Sequence, residues 1–332
     1  FHRKKRSTVH YVHSNRKGDV MLKYVLKRLG YILVTLWVIV TCTFFMMKNL
    51  PGTPFDAERF SIMTPQQQER VLEMYGLNDS LPMQYVKYIK NMLKGDLGTS
   101  FTYVNQDVSK VITGRLGPSA LIGIQAVLIG LAIGLILGIL AAWKHNSGID
   151  YFTMILAVLG VSVPNFVAAA LLQYYIGLKW GALPVGFWTG WNCSVLPSIA
   201  LSFSATAMVA RFMRTEMLDV LDQDYIVTAR AKGLSQMKVL MRHAVRNSIL
   251  PVVTILGPIV VNLMTGSLAV ENIFSIPGIG SLFVDCIKAN DYPVIMGITI
   301  FYAAFYMLIV LLVDLAYSLI DPRIRLAKGK ES

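Results

Sequence analysis

Few residues in this sequence have the type and spacing for chemistry. Three cysteines, Cys42, Cys193 and Cys286, form no CxxC pair and no metal-ligand spacing. They read as three free thiols, with a Cys193–Cys286 disulfide left open if both lie outside the membrane. The histidines offer no metal set: His10 and His13 fall in a basic leader, and His145 and His243 in loops. No GxxxxGK[ST] phosphate loop is present. The charges that touch apolar runs are Asp314, Arg211, Arg214 and Glu271, all toward run ends. A proton or ion relay needs acids or histidines near the bilayer middle, and none is there. The expectation is therefore no catalytic residue, no metal and no cofactor in this chain. What remains is uncharged: Gln125, Asn165, Gln173 and Asn262 line a pathway or bond across helices, and Gly130, Gly134 and Gly138 form a small-xxx-small seam for close helix packing.

The elements that carry these residues are membrane helices. Of the 332 residues 55% are hydrophobic and only 15% charged, against roughly 45–50% and about 25% in soluble domains. A helix needs about 20 apolar residues to cross the hydrocarbon core. Six runs qualify, near 29–47, 119–143, 151–178, 195–213, 249–270 and 294–320. The fold class is all-α, a polytopic membrane protein of six transmembrane helices. The net charge of +12 does not point to nucleic acid, because the basic residues cluster in loops between apolar runs. With the N-terminus inside, the inner segments hold 21 of the 31 Lys and Arg residues, which puts both termini in the cytoplasm.

The domain reading follows. Residues 1–20 are a basic leader of added or upstream sequence, outside the fold. Residues 21–48 are the first transmembrane helix, 49–118 an extracellular loop domain with short helices, 119–320 a five-helix core with a cytoplasmic loop at 215–248, and 321–332 a cytoplasmic tail. In the first loop, Thr64-Pro65 starts one helix and Pro82 another. Tyr85, Tyr88, Ile89, Met92 and Leu93 then share one apolar face. That face packs on the membrane domain, lies in the interface or receives a partner. Val163-Pro164-Asn165 in the third run, and Pro251 and Pro258 in the fifth, bend their helices. Trp180, Trp188 and Trp191 read as interfacial anchors.

The loop between the fourth and fifth runs is the most informative. Tyr225 to Lys232 favours a short helix that Gly233 stops. A second helix is expected from Gln236 to Arg246. Such a short helix is either gripped by another protein or laid on lipid headgroups with its basic residues.

Thr228-Ala229-Arg230-Ala231-Lys232-Gly233-Leu234, then Arg242-His243-Ala244-Val245-Arg246-Asn247 and Leu250-Pro251, resembles the signature loop of binding-protein-dependent ABC importer permeases. The resemblance is to the oligopeptide/dipeptide branch and its OppB-type permeases. Gln84-Tyr85, Gly95 to Ser100, Ser162 to Phe166, Ile273 to Gly280, Asp291 to Val294 and Ile320 to Arg323 agree in the family's order. Where the general pattern has Glu-Ala-Ala, this chain has Val227, Thr228 and Ala229, a departure typical of the peptide branch.

The resemblance implies a type I (MetI-like) importer permease in a bacterial inner membrane, forming half of a pathway for oligopeptides. It implies a second homologous permease, two cytoplasmic ATPases that bind ATP and Mg²⁺, and an extracellular peptide-binding lipoprotein. It makes Tyr225, Thr228, Ala229, Arg230, Ala231, Lys232, Gly233 and Leu234 the ATPase-coupling interface. Dipeptides, nickel or another small solute are the alternative cargoes. A proton-coupled secondary transporter is the alternative of a different class.

Overall fold

In the computed structural model the chain is helical, and residues 4–49, 60, 62–74, 76–103, 106–265 and 267–320 are described, with side chains from residue 25 except 74, 314 and 316–320. The predicted tail at 321–332 and the side chain of Asp314 lie outside the described residues. Helix α1 (Lys4–Lys48) carries the first span. The backbone of the basic leader from residue 4 continues that helix, instead of standing apart from it.

The first loop holds α2 (Pro65–Met74) and α3 (Leu81–Met92). Thr64 starts α2 with a reciprocal cap. Its N–H donates to Gln67 Oε1 at 2.9 Å, and Gln67 N–H approaches Thr64 Oγ1 at 3.4 Å. Helix α4 (Val108–Trp143) is 36 residues long, about 54 Å at 1.5 Å per residue. It starts within the predicted loop and runs through Pro118 without a break, so the loop ends near 107 and not 118.

The third run is not one straight helix. Helix α5 (Gly148–Ser162) meets α6 (Asn165–Leu172) with a bend of 100°. The cause is local. A residue before proline is pushed into extended backbone, and Val163 sits at ψ 119° ahead of Pro164. A π-helical segment, Gln173–Lys179, continues α6.

Helix α7 (Val195–Leu221) is the fourth span. A short helix α8 (Asp224–Ala231) follows. The predicted second loop helix is not separate. Gln236–Lys238 and the π-helical Val239–Ala244 run directly into α9 (Val245–Met264), the fifth span. That span ends before Ser267, and α10 (Leu268–Ile273) carries Glu271 beyond it. Helices α11 (Ile279–Lys288) and α12 (Tyr292–Ile320) complete the order. Among the described residues five helical stretches can cross a membrane by length and composition, six with the bent pair counted as one.

Among the described residues the α4–α7 pair is the most extensive contact between helices. Lipid tails are as apolar as leucine, so close backbone approach is what holds such a pair. A methyl group added at Gly130 would lie 2.7 Å from Ala205 Cβ, at Gly134 2.7 Å from Val209 Cβ, and at Gly138 2.6 Å from the Ala210 carbonyl oxygen. The expected glycine seam is thus a packing seam. Gly123, one turn before Ala126, meets the α9 backbone at Leu263 in the same way. The main core lies among α4, α7 and α9, with Ile122, Leu196, Leu201, Val209, Met213, Met217 and Val252 buried in it. A second core at the opposite end from α8 joins Phe44 of α1 to Val108, Ile112, Leu282, Ile295 and Ile298.

Candidate functional site

Helix α8 is a small projecting element whose every turn is anchored. Ile226 and Ala229 are buried against Val239, with Val220 and Leu221 beside them. The Asn247 amide at the foot of α9 donates to the Tyr225 hydroxyl at 3.0 Å. Thr228 Oγ1 donates back to the Asp224 carbonyl. At the end of the helix Gly233 adopts φ +76°. Gly233 N–H donates to the Arg230 carbonyl at 2.9 Å, and Leu234 N–H reaches the Ala229 carbonyl at 3.4 Å. These two bonds are the pair that closes a helix on a left-handed residue.

The opposite face is open. Tyr225, Val227, Thr228, Arg230, Ala231, Lys232, Gly233 and Leu234 are exposed. Met237 and Met241 extend the apolar part, at 50% and 53% exposure. Among the described residues Arg230 and Lys232 make no salt bridge. Ala229 departs from the expected set. It is 6% exposed and faces inward, because it follows Ile226 by three positions on the face that meets Val239. It seats the helix and does not present a surface.

About two turns before its C-terminal end, α7 is tied to α5. Arg214 Nε donates to Asp150 Oδ1 at 2.6 Å, and Arg214 Nη2 to Asp150 Oδ2 at 2.8 Å. Asn146 N–H adds a third bond to that carboxylate at 3.0 Å, with His145 Nδ1 3.1 Å away. Asp150 is 2% exposed. Sequence reasoning placed Arg214 at an inner helix end but missed its partner. The signal was Asp150, just ahead of the third run and in the first turn of α5.

The end opposite α8 carries two further ties that sequence reasoning missed. Glu271, 3% exposed, accepts from Ser119 Oγ at 2.7 Å and from Ser281 N–H at 2.9 Å. Ser119 Oγ in turn accepts from Ile279 N–H. A methyl group at Gly278 would lie 2.3 Å from the Glu271 carboxyl, so glycine is required there by the close approach. Asp291, fully buried, accepts from Ser100 Oγ and from the N–H groups of Phe101 and Thr102 at 3.2 and 3.1 Å.

The uncharged candidates separate. Gln173 is consumed in structure: its amide donates to the Val185 and Ile273 carbonyls at 2.6 and 2.7 Å. Asn165 opens α6 half-buried. Asn262 is exposed on α9. Among the described residues no hydrogen bond joins Asn165, Gln173 and Asn262 to one another. All three cysteines are free, with Cys193 and Cys286 buried. Among the described residues no group of three His, Cys, Asp or Glu side chains is placed to hold a metal.

Comparison with known proteins gives the arrangement its family. Residues 134–326 match the family described as binding-protein-dependent transport system inner membrane component, and residues 21–118 match that family's N-terminal model. The dipeptide transport system permease protein DppB of Lactococcus lactis subsp. cremoris is 46% identical over 306 residues, covering 92% of this chain and 100% of the relative. DppB of Bacillus subtilis is 43% identical, covering 93% and 99%. The oligopeptide transport system permease protein OppB of Haemophilus influenzae is 39% identical, covering 92% and 100%. The chain belongs to the family of binding-protein-dependent transport system inner membrane components, the non-catalytic membrane permeases of ABC importers.

Proposed function

We propose that this chain forms half of a translocation pathway for peptides in a bacterial inner membrane, with both termini in the cytoplasm. A second homologous permease completes the pathway. An extracellular peptide-binding lipoprotein delivers cargo, and two cytoplasmic ATPases hold ATP and Mg²⁺. Chemistry belongs to those ATPases, and this chain supplies the lever they move. The observation that carries the reading is α8: a helix seated by Ile226 and Ala229 and closed by Gly233, with Val227, Thr228, Ala231, Lys232 and Leu234 left open. The Lys and Arg excess of the segments on that side supports its cytoplasmic placement.

The relatives named for dipeptide transport stand at 46% and 43% identity and the one named for oligopeptide transport at 39%. That order favours short peptides as cargo over longer ones. Competition of labelled dipeptide uptake by unlabelled di- and pentapeptides measures the preference, and stronger competition by the pentapeptide reverses it.

The docking role is tested by a pair of substitutions on opposite faces of α8. Ala231→Phe blocks the open face, and purification of the chain from its host should then lose the two ATPases while the permease partner is retained. Ala229→Phe acts beneath the helix and should first raise its susceptibility to proteolysis. Full peptide uptake with the ATPases still bound to Ala231→Phe removes the assignment.

A further inference from the structure

The fifth span has two unlike faces. Val252, Gly257, Ile259, Val261 and Leu263 are buried in the core. Thr254, Pro258 and Asn262, four residues apart, are exposed on the other face. Proline has no N–H to donate one turn back. Pro258 therefore leaves the Thr254 carbonyl without its usual helical partner, and Pro251 does the same for Asn247. The Thr254 hydroxyl is already spent on the Pro251 carbonyl. Among the described residues the Asn262 carboxamide makes no hydrogen bond; only its backbone carbonyl accepts, from Thr265. One outward face thus presents two freed carbonyls and an unpaired carboxamide, spread along the whole span. Acyl chains cannot satisfy such groups, and leaving them to lipid is strongly unfavourable.

We infer that this face of α9, marked by Asn247, Thr254, Pro258 and Asn262, lines the translocation pathway and hydrogen-bonds the main chain of the passing peptide. The inference rests on the peptide-importer reading and adds the surface that the cargo meets. The groups are uncharged acceptors and one amide, which complement peptide N–H and C=O groups and ignore side-chain charge. Positions 254 and 262 are eight residues apart, about 12 Å along a helix, which spans about three to four residues of extended peptide at roughly 3.3 Å each. The inner end of the stripe is also bonded to α8, through the Asn247 amide and the Tyr225 hydroxyl at 3.0 Å. A face joined to the projecting helix moves when that helix moves, as a wall that opens and closes must.

The test uses the complete importer in proteoliposomes, with Cys42→Ser as background because Cys42 is the exposed native thiol. Thr254→Cys, Pro258→Cys and Asn262→Cys are treated with a membrane-impermeant maleimide, without nucleotide and with ATP plus vanadate. Leu308→Cys, on an exposed apolar position of α12, is the lipid-facing control. The stripe should label in one state several-fold faster than in the other, and saturating peptide should slow it. Labelling no faster than Leu308→Cys in both states would place the stripe against lipid and overturn the inference. Cross-linking to the second permease at full yield in both states would make the stripe a static interface and overturn the inference equally. If the stripe labels in alternation while the importer takes up no peptide and peptide gives no protection, the pathway stands and the peptide reading falls.

Discussion

Gly233 tests whether the end of α8 is set by backbone conformation or by side-chain contact. Its φ of +76° is left-handed, where a residue with a Cβ loses about 1–2 kcal/mol. A Cβ built there meets nothing within 4 Å, so size alone carries no penalty within this chain. Asparagine tolerates left-handed backbone better than alanine although it is larger. Proline is worst, since it fixes φ near −65° and removes the N–H that bonds the Arg230 carbonyl at 2.9 Å, together about 3 kcal/mol or more. The expected order of damage is Gly233→Asn, then Ala, Val and Pro. For Gly233→Ala the loss converts to roughly 5- to 30-fold more frequent local opening. Hydrogen exchange of the amides of 228–234 in the purified chain reads that opening directly. Coupled uptake in the full importer should fall in the same order. A ranking by side-chain volume, with Asn worse than Ala, would refute the backbone argument and show that a partner surface crowds this position.

Three further outcomes follow from the same geometry. Gly138→Ala puts a methyl group 2.6 Å from the Ala210 carbonyl and 2.7 Å from Met213 Cβ, an overpacking worth about 1–3 kcal/mol; its melting in detergent should drop, while Gly30→Ala, with open space around it, should not. Asp150→Asn leaves Arg214 without its counter-charge, and breaking a buried pair costs about 3–5 kcal/mol; because the Arg214 side chain is 20% exposed, about 2 kcal/mol is expected, and Asp150→Arg with Arg214→Asp should recover part of it in a thermal assay. Cys286 has its thiol pushed up to about 12, by burial first and then by Asp291 and Asp285, so at pH 7 a maleimide should label Cys42 and spare it. A raised thiol pKa means that the folded state holds the proton longer than the unfolded one. This thiol therefore leaves stability unchanged below pH about 9 and erodes it from there up to about 12, which Cys286→Ser melting between pH 8 and 10.5 checks.

The spans were legible because about 20 apolar residues in a row have one solution in lipid. The short helix was legible because Gly233 is a stop signal that needs no tertiary information. The 100° bend was not legible as an angle. Pro164 announces a break, but its direction depends on where Gln173 finds the Ile273 carbonyl, 100 residues on. The inward turn of Ala229 escaped for a related reason: an eight-residue helix of low amphipathicity does not declare its buried side, and Val239 decides it. Glu271 read as a helix-end acid because its bond to Ser119 spans 152 residues. The start of α4 at Val108 was hidden by Pro118, which usually ends a helix and here sits inside one.

The long-range ties also explain why the family-like segments are scattered along the chain. Gly95 to Ser100 and Asp291 to Val294 look unrelated in sequence, yet Ser100 donates to the Asp291 carboxylate. Ile273 to Gly280 brings Ile279 N–H to Ser119, and Gly278 makes room for the Glu271 carboxyl that Ser119 also holds. The bend after Val163 leads into Gln173, which grips the Ile273 carbonyl. Apolar packing in a bilayer has little power to choose one helix arrangement over another, since lipid competes equally for every apolar face. Directional bonds supply that choice, and a bond that is satisfied internally at low dielectric is costly to break. The ties stand at the two ends of the bundle, Asp150–Arg214 at the α8 end and Glu271 and Asp291 at the other. Between them the α4–α7 contact is a stripe of glycines that lets Ala205, Val209 and Met213 approach closely. On the exposed face of α9 Asn247 is bonded to Tyr225 and the Thr254 hydroxyl to the Pro251 carbonyl, whereas the Asn262 carboxamide forms no such tie among the described residues, which sets it apart from Asp150, Glu271, Asp291 and Gln173.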